Sequence, residues 1–255
     1  MSGLTEALQP PLPVFPPLLS GRAVEAGASA FADASRAAAS GAAAAGELFW
    51  SKAVDRLDLA VVLEPEVEEA RALQVHFVLM VACGDAVGAI GPPELALQYR
   101  WPTAILANGA QVGRARVALP AASEPAAAPA WMVAGVEMAM LGEPNRPEPG
   151  LVPEQTTLWD EGCGDMDPVS LVESISRHFL AWLNIWQEDG FGPVHEAWLA
   201  RCEERGGELA LDHAGKRHQG RFLGLDEDGN LLLQSGQGTT TLDFSVAVER
   251  FGSAP

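Results

Sequence analysis

Tyr99-Arg100-Trp101-Pro102-Thr103-Ala104-Ile105-Leu106-Ala107-Asn108-Gly109-Ala110-Gln111-Val112-Gly113-Arg114-Ala115-Arg116-Val117-Ala118-Leu119 is the stretch whose reading decides the fold. It reads as two short strands joined by a tight turn. Ile105-Leu106-Ala107 is a small apolar run, and Asn108-Gly109 tolerates the positive φ that a two-residue hairpin needs. Val112, Val117 and Leu119 mark the apolar side of the second strand around Arg114 and Arg116. Pro102 locks its own φ and biases Trp101 toward an extended backbone.

Alternate residues of a strand share a face, so Arg114 and Arg116 point together, and Arg100 approaches along the neighbouring strand. Arg100, Trp101, Gly113, Arg114 and Arg116 are therefore the candidate ligand-binding residues. Two readings stand side by side. The arginines line a pocket for a phosphate or carboxylate, or they form a solvated face paired with nearby acids. Trp101 either floors an apolar ligand pocket or packs in the core.

Working outward, residues 67–88 predict a buried helix, with Ala70, Leu73, Phe77, Met80, Val81 and Cys83 three and four apart. Glu66, Glu68 and Glu69 sit in its first turn, where the helix dipole favours negative charge. His76 on this helix reads as a packed histidine. Upstream, residues 26–45 form an Ala-rich helix with Phe31 on its apolar side. Strands follow at 47–51 and 57–64. Only Lys52, Ala53, Val54, Asp55 and Arg56 separate them, the length of a hairpin loop. Residues 1–24 read as an extended, Pro-rich lead-in.

Downstream, a strand is expected over 131–140. A helix over 168–188 is entered at Asp167-Pro168, Asp capping and Pro at the first helical position. A short helix falls within 191–205. Beyond Gly206-Gly207 come short strands with turns at Ala214-Gly215, Asp228-Gly229 and 236–238, the last strand covering 239–248.

These motifs resemble the biotin/lipoate protein ligase family. Arg100-Trp101-Pro102, the Asn108-Gly109 turn and Gly113 resemble the Lys-Trp-Pro-Asn-Asp motif and the hairpin with its Lys-x-x-Gly motif at the centre of biotin–protein ligases. Residues 131–140 resemble the family strand Val-Val-Ile-Gly-Ile-Gly-Ile-Asn, with Gly135 on the first glycine. Phe191-Gly192-Pro193 to Trp198 resembles a family connector, and residues 224–233 resemble the family's small C-terminal domain. The implied fold is α+β: a mixed sheet with packing helices over 25–190, a helical connector over 191–205, and an SH3-like β-barrel over 206–252.

The implied activity is ATP-dependent attachment of biotin or a related acyl cofactor to a carrier-protein lysine. Biotin and ATP/Mg are expected ligands only if that chemistry survives, and no cofactor is otherwise indicated. Several family features are replaced. Thr103 and Ala104 follow Trp-Pro, Ala110 stands at the family lysine, Ala139 at its asparagine, and the five-residue loop replaces an arginine-glycine lid. Acyl-adenylate formation places charge on phosphate oxygens and needs cationic donors there, so no residue is assigned a catalytic role. The alternative is a non-catalytic module that keeps the ligase scaffold and binds a small acyl or anionic ligand, or a protein.

Composition narrows the partners. Against 34 acidic residues the chain has 16 basic ones, a net charge of −18, which excludes nucleic acid and anionic membranes as expected partners. Hydrophobic residues at 48% suffice for a core. Three widely spaced cysteines, with neither a signal peptide nor a membrane span in view, point to a reduced cytoplasmic setting. Cys163 lies among acids, His178 and Trp182 read as a packing pair, and Asp212, His213 and His218 as turn polarity rather than a metal site.

Overall fold

The computed structural model describes residues 12–122, 126–142 and 152–252. Residues 1–11 of the expected lead-in and part of the loop after residue 120 lie outside them. The chain runs β1 (Ser20–Val24), α1 (Ala30–Ala39), β2 (Glu47–Ser51), β3 (Arg56–Leu63), α2 (Glu69–Leu73), α3 (Val75–Ile90), β4 (Leu97–Arg100), β5 (Ala104–Ala107), β6 (Ala110–Pro120) and β7 (Met132–Ala139). Then come α4 (Pro168–Asp189), α5 (Phe191–Ala200), β8 (Glu208–His213), β9 (Lys216–Leu225), β10 (Leu231–Ser235), β11 (Gly238–Leu242) and β12 (Glu249–Phe251).

A mixed sheet in the order β1-β2-β3-β7-β6-β5-β4 holds the centre, with β12 added beside β6. β1 runs parallel to β2 and β12 parallel to β6; the other neighbours are antiparallel. Residues 20–24, read from sequence as the end of a lead-in, are thus the edge strand β1. Their exposed Ser-Gly-Arg-Ala start gives no alternating pattern to announce a strand. The Asn108-Gly109 turn is as expected, with both residues at positive φ. β5 and β6 carry a bulge between Ile105 and Leu106. It explains how Val112 and Val117, an odd number of residues apart, both reach the same core.

One sheet face is covered by the buried α3 and by α4, capped by Asp167 through the Ser170 amide with Pro168 in the first turn. This face carries the main core, from Leu48 and Trp50 through Phe77 and Val117 to Trp198. α1, capped by Ser29, covers the other face with a smaller cluster of Phe31, Ala34, Phe49, Ala60, Val62 and Val133. Glu69–Ile90 is long and apolar enough to cross a membrane, which the sequence reading overlooked; it is the α2–α3 stretch folded into this core.

β8 to β11 form a second, four-stranded antiparallel sheet. The strand expected over 239–248 is shorter: β11 stops at Leu242, Phe244–Ala247 turns as a 3-10 helix, and β12 returns to the large sheet. Asp243 caps that 3-10 turn, its side chain accepting from the Ser245 amide.

Candidate functional site

The α1 face of the large sheet carries charge where the α3 face carries none. Arg56 and Asp58 lie on β3, Glu137 on β7, and Arg114 and Arg116 on β6. The register sets Asp58 and Arg114 on either side of Glu137, and Arg56 opposite Ala139. Gly113 is the point of closest approach. A Cβ there would lie 2.2 Å from the Glu137 carbonyl oxygen and 2.6 Å from Met138 Cγ, so the strands meet only because the residue is glycine. Beside it opens a cleft of about 450 Å³ lined by Arg56, Gln111, Arg114, Glu137 and Thr156, among others. The segment after residue 152 forms its far wall, held by the Gln111 amide donating to the Glu154 carbonyl and the Thr156 amide to the Gln111 carbonyl.

The structure separates the five sequence candidates. Gly113 and Arg114 line the cleft, with Arg114 paired to Glu137. Arg116 lies deeper. Both its Nε and Nη2 donate to Glu249 of β12, at 2.8 and 2.9 Å, and its guanidinium stacks 4.1 Å above the Phe31 ring. Phe31 in turn packs on Gly135, where a Cβ would meet it at 2.6 Å. Arg100 stands elsewhere, at the β4 edge, bound to Glu203 and Glu204. Trp101 is buried on the opposite face and donates its indole N–H to the Gly229 carbonyl, 3.0 Å away in the turn between β9 and β10. The three arginines do not converge beside Trp101, and each holds a carboxylate of the chain.

Sequence reasoning passed over Arg56, Asp58 and Glu137. Two signals were available: Arg56 and Asp58 are the polar alternation at the head of an otherwise apolar strand, and Glu137 is the lone charge within β7. Asp58 is buried and accepts the Ala30 amide at 3.0 Å, at the start of α1. Burial pushes its carboxyl above the usual range, against the lowering pull of that amide.

The remaining polar candidates are structural. His76 lies wholly inside the core, its Nε2 3.0 Å from the Pro102 carbonyl oxygen, so Nε2 carries the proton and donates. Burial holds its pKa down to about 4. Trp182 donates to Asp85 on α3 at 2.7 Å. His213 packs on Trp101 with ring centroids 5.3 Å apart, and Asp212 pairs with Arg217. Burial raises the thiols of Cys83, Cys163 and Cys202, so none is an activated nucleophile. Among the described residues no group of three or more His, Cys, Asp or Glu is placed to hold a metal ion.

Known proteins resemble this chain. A Biotin--[acetyl-CoA-carboxylase] ligase of Paracoccus denitrificans is 29% identical over 179 residues, 70% of this chain and 73% of that protein. A crystal structure of a biotin protein ligase-like protein of unknown function from Silicibacter is 34% identical, with 93% of this chain and 100% of that one covered at a TM-score of 0.83. The biotin protein ligase of Aquifex aeolicus, 18% identical, has the same fold at a TM-score of 0.69 over 88% of this chain and 92% of its own. Residues 15–200 match the model of the Biotin/lipoate A/B protein ligase family, and the chain belongs to that family.

Proposed function

We propose that the chain has a ligase-type function. It takes biotin or a related acyl carboxylate into the Gly113 cleft, uses ATP with magnesium to activate it, and passes the acyl group to a carrier-protein lysine. The observation that carries this reading is the cleft itself. It opens at the family's hairpin glycine, about 450 Å³ in volume, with arginine on its wall in a chain of net charge −18. That volume is in the range of small-molecule sites. The C-terminal four-stranded sheet, which we read as an SH3-like barrel, packs its Gly229 turn against Trp101 and Phe77. We place the protein in the cytoplasm, in keeping with its three unpaired cysteines. The test is transfer of label from biotin to a biotin-carrier domain in the presence of ATP and magnesium, read by avidin blot.

One observation favours a second reading, a binding module that does not adenylate. Arg100, Arg114 and Arg116 are each neutralised by a carboxylate of the chain. Donors already engaged are not free for phosphate oxygens as charge develops there. Calorimetry with biotin alone, then with ATP and magnesium, separates the two. Biotin heat without ATP coupling or transfer supports the module, and transfer supports the ligase.

A further inference from the structure

We propose that Arg56, with Arg114 beside it, is the receptor for the ligand's carboxylate, and that it takes a singly charged carboxylate in preference to a phosphate. This rests on the reading that the Gly113 cleft holds an acyl ligand. In a chain with 34 acidic residues against 16 basic ones, a cation finds a carboxylate easily, and Arg114, Arg116 and Arg100 each have one. Arg56 lines the cleft and, among the described residues, has no ion-pair partner. Among the described residues its one side-chain hydrogen bond runs from Nη2 to the Ala28 carbonyl at 2.6 Å. Its Nε is shut off from solvent with no acceptor. A charged donor left in that state is under-satisfied.

Local sequence explains why. Arg56 opens β3 two residues before Asp58 and opposite the small Ala139, and Arg56 and Ala139 both line the cleft. The two acids on the same face are engaged elsewhere. Asp58 accepts the Ala30 amide, and Glu137 holds Arg114. An oxyanion in the cleft meets an Arg56 guanidinium that no described acid contacts, Asp58 acting on it only through space. Two arginines against one glutamate leave the cleft lining with a single positive charge. That matches a monoanionic carboxylate, whereas a phosphate brings a second negative charge against Glu137.

The experiment is calorimetric titration of the full chain and of R56Q and R56K with biotin, its uncharged primary amide, hexanoate and inorganic phosphate. Thermal melts establish that each variant is folded. In the unaltered chain biotin binds about 10-fold to 100-fold tighter than its amide, the worth of a charge-assisted hydrogen bond, and phosphate binds more weakly than biotin. R56Q loses that factor for biotin and leaves the amide unchanged, while R56K recovers part of it and carries the test if R56Q does not fold. Equal weakening of biotin and amide by R56Q, or phosphate binding tighter than biotin, overturns the assignment while leaving the acyl reading in place. Hexanoate binding that depends on Arg56, with no biotin binding, removes biotin as the ligand and supports the receptor. No heat with any of the four overturns both.

Discussion

The two faces of the large sheet are built to opposite rules. On the α3 side Phe77 is fully buried against Phe191, Trp198 and Phe244, with ring centroids between 5.0 and 5.7 Å, and the buried Trp101 indole meets an acceptor in the Gly229 carbonyl. On the α1 side one short helix leaves strand surface uncovered, and charges pair across β7, β6 and β12. The first face holds the larger core. The second has a smaller core beside its charges and holds the cleft. Stability and binding should therefore respond to different substitutions.

The largest break in that contrast comes from Phe77→Ala. Emptying the centre of the apolar face should remove about 3–5 kcal/mol in urea denaturation. Next is pH. Burial holds His76 neutral, its pKa down to about 4 from the usual 6.5. The unfolded chain then takes up a proton that the folded chain refuses, so stability present above pH 6.5 is lost as the pH falls toward 4. The loss amounts to at most about 3 kcal/mol. Urea midpoints from pH 7.5 to 4.5 should fall more steeply for the unaltered chain than for His76→Phe; parallel curves would place the titration elsewhere. Trp101→Phe keeps a ring but strands the Gly229 carbonyl, and should lower stability by about 1–2 kcal/mol in the same assay. The smallest effect belongs to the charged face. Glu137→Gln breaks a half-exposed pair and should change stability by less than about 1 kcal/mol. Removing that negative charge should tighten carboxylate binding several-fold by calorimetry; a stability loss as large as that of Trp101→Phe would erase the distinction between the faces.

Local signals in the sequence carried the apolar side well. Asp167-Pro168 opens α4 and Asn108-Gly109 turns the hairpin because capping and positive φ are properties of adjacent residues. That Arg114 and Arg116 share a face was equally legible, since strand alternation is local. What they face was not. Glu137 is 23 positions from Arg114, and Glu249 is 133 from Arg116. Pairing over such distances is decided by strand order, which no short window contains. The same reason hid β12: three residues, Glu-Arg-Phe, make a strand only because β6 offers a free edge. Arg56 was counted as the last residue of a short loop, and only the register with β7 turns it toward the cleft.

The return of β12 bears on how the molecule comes apart. Glu249 grips Arg116 on one side of the large sheet, and Arg250 reaches Glu69 at the foot of α2 through both Nη1 and Nη2. The four-stranded sheet is thus threaded into its larger neighbour at both ends, by the chain leaving α5 and by this final strand. A seam closed from two ends opens as a whole. Heating should release both sheets in one calorimetric transition, with amide exchange in β10 as slow as in β7.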